Sequence, residues 1–208
     1  MTKSILIVNG ATRINGNTDI LVNKIIEGSI NTRVNITLFN LREKRISNCI
    51  GCYQCLEKST CSFQDDMTEV RSAIEKSDLM VFASPLYWCG VTGLMKIFID
   101  RLFFYYHPQT RHLISGKKAI IITPMNQRDV AHESDVLVEF YNRLFNCLGI
   151  KIVDMVFFSD IMEKGMVLNK PEYLNQAYSI GKNLINWAEN GVYRLKGNRL
   201  WQMLLHFF

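Results

Sequence analysis

Ser4-Ile5-Leu6-Ile7-Val8-Asn9-Gly10-Ala11-Thr12-Arg13-Ile14-Asn15-Gly16-Asn17-Thr18 is the stretch that fixes the fold class. Its apolar, mostly β-branched run reads as a strand buried on both faces, as in a parallel sheet. The turn after it offers flexible backbone at Gly10 and Gly16, hydroxyls at Thr12 and Thr18, amides at Asn15 and Asn17, and the Arg13 guanidinium. From Asn17 to Gly28 the spacing predicts a helix starting at an Asn/Thr cap. In an open parallel sheet, ligands sit beyond the carboxyl ends of the strands, where helix amino termini present free N–H groups. This turn therefore suits a terminal phosphate.

Two common phosphate motifs are excluded. A P-loop needs Lys after its second glycine, whereas Gly10 and Gly16 stand one residue too far apart and Asn17 replaces the lysine. The dinucleotide fingerprint lacks its second and third glycines. ATP or GTP hydrolysis is not expected.

Further strands are expected at Val34 to Leu41, Leu79 to Ser84, Ala119 to Thr123 and Ile152 to Phe158, alternating with helical segments. The pattern is α/β, a doubly wound sheet of five parallel strands. Asp66-Met67-Thr68-Glu69 has capping-box spacing before a helix with Met67, Val70 and Ile74 inside. A helix follows Thr92 and carries Met95, Phe98, Ile99 and Leu102. Two more carry the stripes Leu137, Phe140, Tyr141, Leu144, Phe145, Leu148 and Leu174, Ala177, Gly181, Leu184, Ala188. Length, 208 residues, favours one domain, 1–190, with a cysteine-rich insertion at 46–64 and a basic, apolar tail at 191–208.

The formal charge of +5 owes three charges to Arg194, Lys196 and Arg199 of that tail, so no basic stripe marks the fold and no nucleic-acid partner is expected. Arg42-Glu43-Lys44-Arg45 reads as a solvated strand end. The tail is expected to pack on its own domain or a second subunit; contact with a membrane surface is the alternative. Neither a signal peptide nor a membrane span is read, which places the chain in the cytoplasm.

Two further loops leave carboxyl ends of strands. Ser84-Pro85-Leu86-Tyr87-Trp88-Cys89-Gly90 sets two aromatic rings at its tip, as a planar ligand would require, and Thr123-Pro124-Met125-Asn126-Gln127 adds amides and a polarizable sulfur. His107, His112, His132 and His206 show neither metal-ligand nor triad spacing. Cys89 and Cys147 read as small loop or core residues rather than nucleophiles.

Cys49, Cys52, Cys55 and Cys61 fall within thirteen residues. In a reducing compartment, such thiols are redox centres or ligands rather than a disulfide framework. C-x2-C-x2-C supplies three ligands of a four-iron four-sulfur cluster, and Cys61 stands five residues further on. Free or redox-active thiols and zinc remain open alternatives, zinc disfavoured because structural sites set two ligand pairs far apart.

Taken together, Gly10-x-x-Arg13-x-x-Gly16-Asn17-Thr18, the cysteine spacing followed by Asp65-Asp66-Met67, and Ser84-Pro85-x-Tyr87 leading to Lys96-x-Phe98-Ile99-Asp100-Arg101 resemble the NAD(P)H-dependent FMN reductases and, within them, the iron-sulfur flavoproteins. The resemblance implies a flavodoxin-like three-layer α/β/α sandwich and an FMN-dependent oxidoreductase of flavin/quinone-reductase type, with NAD(P)H as donor. It implies FMN phosphate at Thr12, Arg13, Asn15, Gly16, Asn17 and Thr18, and the isoalloxazine beside Pro85, Leu86, Tyr87, Trp88, Cys89, Thr123, Met125 and Asn126. No side chain is expected to be catalytic, because the flavin performs the chemistry. The chain is expected to be a homo-oligomer passing electrons to a small molecule or redox protein. Two other functions stay open: an iron-sulfur electron carrier fed by a ferredoxin-type donor, and a regulatory or scaffold protein retaining the fold. Ala11 stands where the family usually has Ser, and the third loop lacks the glycine often found there.

Overall fold

The structure, a computed structural model, describes residues 1–190. The expectations for the tail and for His206 lie outside the described residues. The elements run β1 (Lys3–Asn9), α1 (Asn17–Ser29), β2 (Val34–Asn40), α2 (Gln54–Lys58), α3 (Met67–Lys76), β3 (Leu79–Ala83), α4 (Gly93–Arg101), α5 (Pro108–Arg111), β4 (Lys118–Pro124), α6 (Val130–Leu148), β5 (Lys151–Phe158) and α7 (Pro171–Asn190). Short 3-10 turns lie at Leu41–Glu43, Leu102–Tyr106 and Met166–Asn169.

The strands form one sheet in the order β2-β1-β3-β4-β5, and all four pairings are parallel. Strand order reverses between β1 and β3, so the loops leaving these neighbours diverge and open a crevice at the carboxyl edge. Ile5 and Ile7 face α1 and α7, and Leu6 and Val8 face α3, α4 and α6, which gives β1 its apolar run on both faces. α1 and α7 cross closely: a Cβ on Gly28 would lie 2.0 Å from the Tyr178 carbonyl oxygen, and one on Gly181 2.0 Å from that of Ile25. The absence of a side chain is what lets these two backbones meet.

Two local expectations are corrected. Asp66 precedes α3 without a side-chain cap; its carboxylate accepts from the Arg45 N–H at 2.8 Å, while Glu69 pairs with Lys44. The N-cap of α1 is Gly16, because the Asn17 amide is drawn off to the β5–α7 loop, donating to the Ile161 and Glu163 carbonyls and accepting from the Val167 N–H. The helix after Thr92 starts as expected, with the Thr92 hydroxyl accepting from the Met95 N–H.

Candidate functional site

Beyond β1 the chain turns under tight constraint. Thr92 Oγ1 donates to the Gly10 carbonyl at 2.7 Å, and a Cβ on Gly10 would lie 2.8 Å from that of Met95. Only glycine lets the turn pass this close to α4. Asn9 Oδ1 takes the Ala11 N–H, and Asp19 Oδ2 takes the Asn15 N–H at 2.7 Å. Asp19 is itself neutralised from below by Arg42 Nη1 at 2.9 Å. The N–H groups of Thr12, Arg13, Asn17 and Thr18 donate to no acceptor among the described residues. A fan of open donors at a helix amino terminus, with a guanidinium beside it, fits a phosphate dianion.

Above the turn lies a hollow of about 150 Å³ lined by Ala11, Thr12, Arg13, Gly16, Asn17, Thr18, Pro85, Leu86, Tyr87, Pro124, Met125, Asn126, Ile161 and Met162. Three loops distant in sequence therefore meet at one place. The second and third are tied to each other by the Leu86 N–H on the Pro124 carbonyl at 3.0 Å. Ile161 and Met162 close a wall unforeseen from the sequence, held there by Asn17 and by Arg13 Nη1 on the Met162 carbonyl at 3.2 Å.

Four residues expected at the ligand do not line this hollow: Asn15, Trp88, Cys89 and Thr123. Asn15 lies at φ +55° with its N–H on Asp19, and Thr123 is buried within β4. Trp88 and Cys89 form the two-residue tip of a hairpin in which Tyr87 and Gly90 exchange both N–H···O bonds. Both tip residues have positive φ, +48° and +59°, as in a type I′ turn. That geometry keeps Tyr87 at the hollow and turns the Trp88 ring fully into solvent. Arg42, expected to be solvated, is instead the half-buried brace of Asp19.

Cys49, Cys52, Cys55 and Cys61 line a second hollow with Phe63, Phe103 and Arg101. Gly51 at φ +63° and Tyr53 at φ +58° make the tight turns that bring the thiols round. Among the described residues, no group of three or more His, Cys, Asp or Glu side chains closes on a single metal ion. Cys49, Cys52, Cys55 and Cys61 share the lining of one hollow without such closure. Their environments differ: the Ser62 hydroxyl draws the Cys52 thiol below its usual range, whereas burial, followed by the neighbouring Cys61, pushes Cys55 up.

The base of this cysteine segment is pinned by one ion pair. Arg101 Nη1 and Nη2 meet Asp65 Oδ2 and Oδ1 at 2.7 and 3.1 Å. Asp65 also accepts from the N–H groups of Ser47 and Met67, and Arg101 donates to the Ser47 carbonyl at 2.8 Å. Burial alone would raise the Asp65 carboxyl, but the Arg101 and backbone bonds outweigh it and hold it below its usual range. This role of Asp65 is not legible locally, since Arg101 and Ser47 are remote in the chain.

The model of the NADPH-dependent FMN reductase family matches residues 3–148. An iron-sulfur flavoprotein of Clostridioides difficile is 38% identical over 123 residues, 57% of this chain and 52% of that protein. One from Archaeoglobus fulgidus is 36% identical over 101 residues, 49% of this chain and 46% of that protein. The chain thus spans about half the length of the curated relatives it matches. Among solved structures, NAD(P)H:quinone oxidoreductase from Methanothermobacter marburgensis superposes with a TM-score of 0.72 at 18% identity, covering 88% of this chain and 96% of that one, a likeness of fold. With the sheet order, the carboxyl-edge hollow and a family match across most of the sheet, the chain belongs to the NADPH-dependent FMN reductase family.

Proposed function

We propose that this chain is an FMN-dependent oxidoreductase that takes reducing equivalents from NAD(P)H and passes them to a small acceptor or a redox protein. The observation that carries this reading is the single hollow at which the loops after β1, β3, β4 and β5 meet. FMN, when bound, supplies the hydride and electron chemistry. The open N–H groups of the β1–α1 turn, the Thr12 and Thr18 hydroxyls and the Arg13 guanidinium hold the phosphate by charge-assisted hydrogen bonds. Pro85, Leu86, Tyr87, Pro124 and Met125 present apolar surface to a flat ring and exclude water from one side of it, while the Asn126 amide offers donors and an acceptor to its polar edge. Thr123 and Asn15 act behind this surface, and Asp19 and Arg42 hold the turn open.

The full chain loaded with FMN and mixed anaerobically with NADH or NADPH tests this. Bleaching of the flavin with oxidation of the nicotinamide supports it; a loaded protein inert to both donors contradicts it.

The cysteine hollow favours a second reading for the same fold: an electron carrier in which Cys49, Cys52, Cys55 and Cys61 hold a four-iron four-sulfur cluster. Its support is the convergence of four thiols on one space and the Arg101 N–H on Cys61. The matched relatives named iron-sulfur flavoproteins point the same way. Iron and acid-labile sulfide in anaerobically prepared protein, both lost in Cys52→Ser while flavin is kept, support it. Preparation without either excludes it.

A further inference from the structure

Arg101 lies at the last turn of α4, and its side chain is only 2% exposed. Both terminal nitrogens are fully engaged: Nη1 with the Ser47 carbonyl and Asp65 Oδ2, Nη2 with Asp65 Oδ1 and, at 3.3 Å, with Cys61 Sγ. The Phe63 ring covers the guanidinium at 5.2 Å. A planar fork held through both terminal nitrogens is fixed in place, and the Lys ammonium cannot reproduce it. One N–H is therefore fixed on one sulfur, in a setting where water competes little. Among the described residues no other guanidinium meets one of these thiols: Cys52 meets the Ser62 hydroxyl at 3.2 Å and the Gln54 backbone, and Cys49 and Cys52 are exposed.

We propose that Arg101 is a positioning and tuning residue for the cysteine centre: it fixes Cys61 in the hollow and, through its N–H on Cys61 Sγ, raises the reduction potential of the cluster held there. This inference rests on the cluster reading of the cysteines. Hydrogen bonds to cluster sulfurs and nearby charge are established determinants of potential, and a cation beside the centre favours the state with one more electron. The Asp65 carboxylate limits the net charge of the pair, so the donated N–H carries most of the effect. The same pair pins the segment at Ser47 and Met67, so loop and potential are set by one contact network.

The test uses the full chain prepared anaerobically, with Arg101→Lys, Arg101→Gln and Arg101→Gln/Asp65→Asn. The double variant removes both charges, so it keeps the experiment usable if a lone Asp65 prevents folding. Flavin content reports folding, iron and sulfide report the cluster, and a mediated redox titration reports its potential. The expected result is full flavin, retained iron, and a one-electron reduction equilibrium about tenfold less favourable in the Gln variants, about 59 mV lower, with Lys between. Iron-loaded Gln variants of unchanged potential overturn the inference. So do variants that all keep flavin but lose iron, because Arg101 is then a tether alone. Wild-type protein lacking iron and sulfide sinks the cluster reading itself, before any variant is compared.

Discussion

Arg42 Nη1 sits 2.9 Å from Asp19 Oδ1, an ion pair with side chains 15% and 7% exposed, directly beneath the β1–α1 turn. Asn9 Nδ2 donates to the same oxygen at 2.6 Å and the Asn15 N–H to the other. The pair thereby joins the ends of β1 and β2 to the first turn of α1 and sets the shape of the phosphate cradle. Arg42→Ala leaves Asp19 buried without its cation. Breaking such a pair costs about 3–5 kcal/mol when fully buried. The expected outcome, read by urea unfolding, is a loss of at least about 2 kcal/mol together with weaker FMN binding.

Arg13 stands exposed at the mouth of the hollow, where it braces only the Met162 carbonyl. Its removal should spare the fold and act on the ligand. Hydrogen bonds to charged groups contribute about 1.5–3 kcal/mol, so Arg13→Ala should weaken FMN binding about 10- to 100-fold in a fluorescence titration. Unchanged affinity would remove Arg13 from the site.

Trp88 and Cys89 hold positive φ without being glycine. Such a backbone costs roughly 1–2 kcal/mol per residue, and Asn-Gly is the preferred pair for this turn. Trp88→Asn with Cys89→Gly should raise the unfolding midpoint. Because neither side chain lines the hollow, FMN affinity should change less than about threefold, well under the tenfold that 1.4 kcal/mol represents. A large loss of affinity would show that the Trp88 ring reaches the ligand.

Asp65 is held below its usual carboxyl range in the folded chain. A carboxyl lowered on folding adds stability that is complete above its unfolded value and is lost as pH falls through the folded one. Asp65→Asn should therefore destabilise the chain at neutral pH and flatten the acid limb of the stability–pH curve. Parallel acid limbs for variant and wild type would refute the assignment.

Strands and helices were legible because the apolar runs of β1, β3 and β4 and the stripe Met67, Val70, Ile74 record burial directly. The three loops were legible because each follows a strand, and strand carboxyl ends converge in this topology. What escaped was set by tertiary partners. Asn17 reads as a cap but is used by the β5–α7 loop, and Ile161 and Met162 carry no local motif. Asp66 reads as the start of a capping box, yet its carboxylate meets the Arg45 backbone, and its neighbour Asp65 meets Arg101. The Trp88 ring was expected at the ligand because composition shows an aromatic tip without showing which way a type I′ turn points it.

The claim on which the account turns is that the hollow above residues 10–18 is the seat of FMN. The most direct measurement is titration of FMN fluorescence with the flavin-free full chain. Stoichiometric quenching of FMN, with riboflavin, which lacks the phosphate, left largely unquenched at the same concentrations, is the result predicted. Free FMN fluorescence that persists undiminished at saturating protein would contradict it.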